Sequence, residues 1–164
     1  VRSRRQRQMC IRDREKLINS FAQLHKEFPN SKLYIVGDGP LKKQLTLQAE
    51  TLGLENDIIF AGQLENPFAL LDECDCFVLS SDYEGQGLVL MEAMIVGKPI
   101  IATDVTGVRS VLEGGLGLLV ENTEEALTEA MKKYITEGIE YRTFDYESYN
   151  NHALQLFYKN VCQS

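Results

Sequence analysis

The stretch FVLSSDYEGQGLVLME, residues 77–92, predicts a buried strand, a glycine loop and the start of a helix. Phe77–Leu79 is a short apolar run typical of a buried strand, and apolar residues recur with helical spacing after the loop. The first N–H groups of a helix have no acceptor within the helix, so they can bind a phosphate. Gly87, Leu88 and Val89 therefore form a candidate phosphate site made of backbone N–H groups.

Two glutamates flank this loop, Glu84 within it and Glu92 on the helix that follows. One carboxylate close to the phosphates and one further away suit a nucleotide-sugar, which carries hydroxyl groups on both sides of a diphosphate. Gly85 and Gly87 would let such a ligand approach the backbone. A strand–glycine–helix turn is also common in α/β proteins, and a solvated Glu92 would fit it equally well. The loop by itself leaves both interpretations open.

Apolar strands alternate with helical patterns along the whole chain. The pattern predicts strands at 33–36, 58–60, 77–79, 99–102 and 116–120, with helices between them. Such alternation predicts an α/β fold with a doubly wound parallel sheet and right-handed crossovers. The carboxyl ends of the strands are where ligands of such sheets bind.

Three segments together resemble the C-terminal domain of retaining glycosyltransferases of the GT-B fold, in the large family 4 or group 1 type. They are LYIVGDGP at 33–40, IIFAGQL at 58–64 and DCFVLSSDYEGQGLVLMEAMIVGKPIIATDVTG at 75–107. The resemblance extends from about Glu15 to Val161. It departs from the family at Gln86, where the usual loop is Glu-Gly-Phe-Gly. It implies the Rossmann-like, donor-binding half of a GT-B fold.

The resemblance also implies a role for each candidate site residue. Glu84 would contact the hydroxyl groups of the donor sugar as the catalytic residue, and Glu92 would bind the ribose. The loop after the first strand would face the nucleotide, and the loop after the second would line the base pocket. The implied donor-binding residues are Gly37, Asp38, Gly39, Gly62, Leu64, Glu84, Gly85, Gln86, Gly87, Leu88, Val89 and Glu92.

The implied reaction is transfer of a hexosyl group, with retention, from a nucleotide-diphosphate sugar, most simply a UDP-sugar. The acceptor would be a polysaccharide, a lipid-linked glycan or a wall polymer of the cell envelope. No cofactor or metal is expected, because the family neutralises the diphosphate with helix dipoles and basic side chains. A nucleotide-binding module without chemistry and a sugar-nucleotide epimerase of the same fold are the alternatives. The glutamate pair favours transfer over epimerisation.

The charge distribution argues against a nucleic-acid-binding protein. The chain has a net charge of −7, and residues 1–14 contain six arginines, so the rest of the chain is strongly acidic and would repel nucleic acid. The four cysteines lack metal-ligand spacing and indicate reduced thiols. No secretory signal or transmembrane run is present, so we expect a cytoplasmic protein that could associate with the membrane surface.

Residues 1–14 differ from the rest and predict a non-native basic head, extended or disordered, before a domain at 15–164. The family's first strand, the arginine and lysine that follow it, and the N-terminal acceptor domain are not recognisable, which predicts a fragment. Arg12, Arg14 and Lys16 do not match the family's basic pattern, so no phosphate role is assigned to them. A missing central strand predicts that its two neighbours pair directly, leave a slot, or accept the head between them.

Overall fold

A computed structural model describes the backbone of residues 4–83, 85 and 87–157, and the side chains of residues 13–83, 85 and 87–151. Its strands are β1 Leu33–Val36, β2 Ile58–Gly62, β3 Phe77–Leu79, β4 Ile100–Thr103 and β5 Leu118–Val120. Its helices are α1 Arg4–Glu27, α2 Lys42–Thr51, α3 Pro67–Glu73, α4 Leu88–Val96, α5 Thr106–Val111, α6 Glu124–Glu137 and α7 Tyr146–Phe157. Strands and helices alternate from α1 to α6, which confirms the predicted α/β class.

The strands form two parallel half-sheets rather than one continuous sheet. In the first, β1 pairs with β2, and Leu33 lies opposite Ile58. In the second, β4 lies between β3 and β5. Every pairing is parallel, as the helical crossovers require.

Both faces of the second half-sheet are covered by apolar packing. Successive side chains of a strand point to opposite faces, and in β4 this places Ile101 in one cluster and Ile100 and Ala102 in the other. Helices α1 and α6 cover the first face, and α4 and α5 cover the second. All four residues of β4 are buried, which is the pattern of a central strand in a doubly wound fold.

The N-terminal helix differs from its prediction. Helix α1 begins at Arg4, so the expectation that residues 1–14 are extended or disordered is wrong for residues 4–14. This stretch contains neither glycine nor proline, and arginine, glutamine and methionine all favour helix, so nothing local interrupts it. Residues 1–3 lie outside the described part of the chain. The assignment of the head as non-native stays a prediction, as do the domain limits.

Several strand boundaries differ from the prediction by one or two residues. β2 extends to Gly62 instead of ending at residue 60, β4 runs from Ile100 to Thr103 instead of over 99–102, and β5 begins at Leu118 instead of at residue 116. Two of the helices have side-chain caps, because Asn66 accepts from Phe68 N and Thr123 accepts from Ala126 N.

A cleft of about 480 Å³ separates the two half-sheets, bordered by β1 on one side and β3 on the other. Of the three outcomes expected for a missing central strand, a slot is therefore the one observed. The head does not fill it as a strand, because residues 4–14 are helical.

Polar contacts tie the beginning of the packed part of α1 to the carboxyl end of β3. Ser80 Oγ donates to the carbonyl oxygen of Asp13 at 2.6 Å, and Asp82 N donates to Asp13 Oδ1 at 3.0 Å. Asp13 is 5% exposed, and burial, as the main cause, raises the pKa of its carboxyl group to about 6. Lys16 donates to the Asp82 carboxylate, which lowers the pKa of Asp82.

The divided sheet predicts low stability for this chain on its own. Within the described backbone, one edge of β1 and one edge of β3 have no ladder partner for their N–H and C=O groups. Domain stability is only about 5–15 kcal/mol in total. We expect a thermal midpoint below about 60 °C and weak or undetectable UDP binding for the 164-residue chain. Circular dichroism melting and UDP titration test this. A cooperative transition above about 60 °C together with micromolar binding would contradict it.

The buried Asp13 predicts that stability rises as the pH falls from 7 to 5. Its carboxyl has a pKa of about 6 in the folded state against 3.8 ordinarily, so folding favours the protonated form. The stabilisation is complete below about pH 3.8 and is lost as the pH rises through 6. Asp13→Asn keeps an acceptor for Asp82 N and removes the charge.

We expect Asp13→Asn to raise the free energy of unfolding at pH 7.5 by about 1–2 kcal/mol and to change it little at pH 4. Urea denaturation at both pH values measures the effect. Glu55→Gln, which removes an exposed carboxylate, is the control. Equal effects of Asp13→Asn at the two pH values would show that folding does not raise the pKa of this carboxyl.

Candidate functional site

The loops that follow the strands meet at the carboxyl edge of the two half-sheets. This edge carries residues 37–41 after β1, 63–66 after β2 and the glycine loop after β3. Most of the candidate residues predicted from the sequence lie here, as expected for an open α/β fold.

The loops after β1 and β2 are joined directly. Gly37 N donates to Gly62 O at 2.6 Å, and both glycines have positive φ, 100° and 67°. The Asp38 carboxylate lies beside Gly62, where an added Cβ would come within 3.5 Å of Asp38 Oδ1. Lys42 pairs with Asp38 at 3.2 Å, so the charge of Asp38 is balanced.

The structure thus brings Gly37, Asp38, Gly39 and Gly62 together in a single corner of the edge. Leu64 follows in the same loop and is half-buried, but it does not line the cleft between the half-sheets.

The glycine loop leads into α4 through a residue that must be glycine. Gly87 is the N-cap of α4 with φ 59°, a backbone conformation that residues with a side chain rarely adopt. A Cβ at this position would also lie 2.6 Å from Val111 Cγ2. Leu88 and Val89 are the first two residues of α4, so their N–H groups have no acceptor within the helix. Glu84 and Gln86 lie outside the described residues, and Gly85 is exposed.

Glu92 lies one turn along α4 from Leu88, on the same helix whose N-terminus ends the glycine loop. Its side chain is exposed and borders the cleft together with Val89. Among the described residues, no hydrogen-bond or ion-pair partner is present for the Glu92 carboxylate. It is therefore available to a ligand that also reaches the N-terminus of α4.

Two basic residues at this edge were not assigned a role from the sequence. Arg14 Nη2 donates to Val36 O at 3.3 Å, and the guanidinium lies beside Gly37 and Gly39. No carboxylate within the described part of the chain pairs with Arg14, whereas Lys16 is bound by Asp82 and Asn122. No role was assigned to them because they do not match the family's basic pattern, and the position of Arg14 depends on how α1 packs against β1.

The charged residues after β4 are paired with each other. Arg109 pairs with Asp104 through two hydrogen bonds of 2.7 and 2.8 Å. This pairing raises the pKa of Arg109 and lowers that of Asp104, and each shift comes mainly from the hydrogen bond between them. Both charges are thereby satisfied within the protein, so neither marks a ligand site.

The described residues contain no group of three or more histidine, cysteine, aspartate or glutamate side chains that could hold a metal ion. Cys74 and Cys76 are free thiols, and burial raises the pKa of Cys76 to about 12, so this thiol is neutral and unreactive. Cys10 and Cys162 have no described side chains. The expectation that the protein needs no metal cofactor stays a prediction.

Within the part of the chain that the structure describes, no helix is both long enough and apolar enough to span a membrane.

The sequence profile of the family described as glycosyl transferases group 1 matches residues 13–151. N-acetyl-alpha-D-glucosaminyl L-malate synthase of Bacillus anthracis is 37% identical over 106 residues, which is 64% of this chain and 28% of that protein. Poly(ribitol-phosphate) alpha-N-acetylglucosaminyltransferase of Staphylococcus aureus is 34% identical over 93 residues, 56% of this chain and 19% of that protein.

Among solved structures, Anabaena Alr3699/HepE in complex with UDP and glucose matches with a TM-score of 0.67 and 30% identity, over 74% of this chain and 34% of that one. The chain therefore spans between about a fifth and a third of the length of these three proteins. The profile match covers most of the chain and includes the glycine loop, α4 and the strands on either side of the cleft. The expected family is confirmed, and the chain belongs to the glycosyl transferases group 1.

Proposed function

We propose that this chain is the part of a hexosyltransferase that binds the nucleotide-sugar donor, and that the donor is a UDP-sugar. The observation that carries the proposal is that the N-terminus of α4, the unpaired carboxylate of Glu92 and the guanidinium of Arg14 all border one cleft. The similarity to Anabaena Alr3699/HepE, whose structure contains UDP and glucose, supports uracil and a hexose.

The diphosphate would lie at the start of α4. Backbone N–H groups of Leu88 and Val89 and the positive end of the helix dipole favour an anion there. Gly87 provides the positive φ with which the loop enters α4. Arg14 belongs to the stretch predicted as a non-native head, but it falls within residues 13–151 that the family profile matches, so we treat it as part of the domain. It would supply a full positive charge to the diphosphate from the opposite side of the cleft.

The two sugars of the donor would extend to either side of the diphosphate. Glu92 would accept hydrogen bonds from the ribose hydroxyl groups, and Glu84 would contact the hydroxyl groups of the transferred sugar. The corner formed by Gly37, Asp38, Gly39 and Gly62, with Leu64, would hold the base. Retention of configuration at the sugar belongs to the same proposal.

The acceptor would be a polysaccharide, a lipid-linked glycan or another polymer of the cell envelope, bound by parts of the protein outside this chain. The names of the relatives support this class, because one of them acts on poly(ribitol-phosphate). A cytoplasmic location, at or near the membrane surface, would suit such an acceptor. A module that binds a nucleotide without chemistry would use the same contacts, and donor hydrolysis by the full-length protein separates the two.

Replacement of Glu92 tests the ribose contact. Glu92→Ala in the full-length enzyme should weaken UDP binding by about 1.5–3 kcal/mol, because hydrogen bonds to a charged acceptor have this value. That corresponds to a roughly 10- to 150-fold rise in Kd, measured by calorimetry. Glu113→Ala, which removes an exposed carboxylate outside the cleft, is the matched control. An unchanged Kd for Glu92→Ala would leave Glu92 as a solvated helix residue.

Replacement of Arg14 tests the diphosphate contact. Arg14→Gln should raise the Kd for UDP at least tenfold but change the Kd for uridine little, because only UDP carries the charge that Arg14 would neutralise. Calorimetry with both ligands measures the difference. Arg109→Gln is the control, since that guanidinium is already paired with Asp104. Equal rises in the Kd values for UDP and uridine would show that Arg14 affects the shape of the cleft and does not bind phosphate.

A further inference from the structure

The first three residues after β3 are held by hydrogen bonds to α1 and β4. Ser80 Oγ donates to Asp13 O, and Asp82 N donates to Asp13 Oδ1 at 3.0 Å. Between them, Ser81 O accepts from Thr103 Oγ1 of β4 at 2.6 Å. Ser80, Ser81 and Thr103 are buried, so the chain leaves β3 along a fixed course.

The Asp82 side chain adds a further anchor, because it joins α1 to the loop after β5. Its Oδ1 accepts from Lys16 Nζ and from Asn122 Nδ2, the latter at 2.8 Å. Lys16 Nζ also donates to Asn122 Oδ1, so the three side chains form a closed triangle of hydrogen bonds. The Lys16 side chain is only 16% exposed, so solvent screens this ion pair less than it would an exposed one.

The glycine loop that follows is fixed at two points, Asp82 and Gly87. Between them, Tyr83 is 58% exposed, and a Cβ added at Gly85 would meet nothing within 4 Å. Gly87 is the next fixed point, through its positive φ and its approach to Val111. In sequence, Glu84 follows Asp82 by two residues, which keeps the two Cα atoms within about 7 Å of each other.

We infer that Asp82 is a positioning residue of the donor site, and that its contacts with Lys16 and Asn122 fix the segment that carries Glu84. The inference rests on the proposed function, in which Glu84 contacts the hydroxyl groups of the transferred sugar. With only two residues between the anchor and Glu84, a shift of Asp82 would displace Glu84 as well. A displacement of about 1 Å at a reacting group is enough to slow a reaction roughly 100-fold.

The anchoring of the loop separates the two parts of the donor site. The diphosphate would bind the N-terminus of α4, which is fixed by Gly87 and by the burial of Leu90, not by Asp82. The transferred sugar would meet Glu84, whose position depends on Asp82. Loss of the Asp82 contacts should therefore slow the reaction of the sugar and leave UDP binding nearly unchanged, because UDP lacks that sugar. General damage to the fold would weaken both.

Two variants of the full-length protein remove the contact from opposite sides. Asp82→Ala removes the acceptor, and Lys16→Met removes the donor but keeps a long side chain. Lys16→Arg restores a positively charged donor and tests rescue. Asp104→Ala is the matched control, because its ion pair with Arg109 lies at the same edge of the sheet but joins residues only five positions apart after β4.

The probes are UDP, followed by calorimetry, and UDP-glucose, followed by the release of glucose to water. Asp82→Ala and Lys16→Met should each lower kcat about tenfold or more and change the Kd for UDP less than about twofold. The double variant should be no slower than either single variant, because all three lose the same contact. Lys16→Arg and Asp104→Ala should keep kcat close to that of the wild-type protein. A tenfold rise in the Kd for UDP in Lys16→Met would mean that Lys16 binds the diphosphate itself, and would overturn the inference, as would an unchanged kcat in Asp82→Ala.

Amide hydrogen exchange of the full-length protein without ligand tests the anchoring by itself. The Asp82 amide, which donates to Asp13, should exchange about tenfold or more faster in Lys16→Met than in the wild-type protein, and at the wild-type rate in Asp104→Ala. Unchanged exchange over residues 80–87 in Lys16→Met would overturn the inference even if the protein binds UDP. A wild-type protein that neither binds UDP nor hydrolyses UDP-glucose would instead overturn the proposed function, and exchange would still decide whether this contact fixes the loop.

Discussion

Helix α1 holds the two half-sheets in one fold, because its buried face packs against both of them. Ile18 and Phe21 share a cluster with Ile35 of β1 and Ile101 of β4. No ladder joins β1 to β3 within the described residues, so apolar packing replaces the backbone hydrogen bonds that would normally connect them. Each of these side chains contributes about 1.5–3 kcal/mol by its burial. Helix α6 closes the same cluster through Leu127, which is fully buried.

The same helix carries the charged groups that define the carboxyl edge. Asp13, Arg14 and Lys16 lie within one turn of α1, yet they contact the ends of three different strands. Asp13 and Lys16 are used in anchoring, since one is buried against the loop after β3 and the other is paired with Asp82. Of the three, only Arg14 has no carboxylate partner among the residues whose side chains are described, and its hydrogen bond goes to a carbonyl oxygen. Because Asp13 and Lys16 are occupied by contacts within the protein, the Arg14 guanidinium is the group of the three that a ligand can bind.

The glycine loop and α4 depend on packing as well as on backbone conformation. Gly87 is required by its positive φ and by the contact with Val111 of α5. Leu90 and Ala93, the third and sixth residues of α4, are fully buried in the cluster that contains Ile100 and Ala102 of β4, which fixes the rotation of the helix. Glu92 is consequently directed away from this apolar cluster and toward the cleft. The position of its carboxylate follows from the burial of its neighbours.

Much of this arrangement could be predicted from the sequence. The apolar runs at Phe77–Leu79 and Leu33–Val36 predicted the two strands, because a short apolar run between turns indicates a strand from its own composition. The expected burial of Phe77–Leu79 is only partial, since all three of its residues are half-buried. The glycine loop and Glu92 were likewise identified, since backbone conformation and helix spacing are local properties. The alternation of strands and helices predicted the parallel pairing, and the resemblance predicted the family; both are confirmed.

What the sequence did not reveal depends on contacts between distant residues. The continuation of α1 through residues 4–14 was missed, because an unusual composition was taken as evidence against structure. The buried state of Asp13 and the position of Arg14 arise from the approach of α1 to β1 and β3, over separations of 22 and more residues. The sequence alone determined the strands, the loop and the family, since these follow from local pattern. Only the tertiary structure decided that a cleft separates the half-sheets and that the Arg14 guanidinium borders it. Both depend on how α1 packs across the two half-sheets.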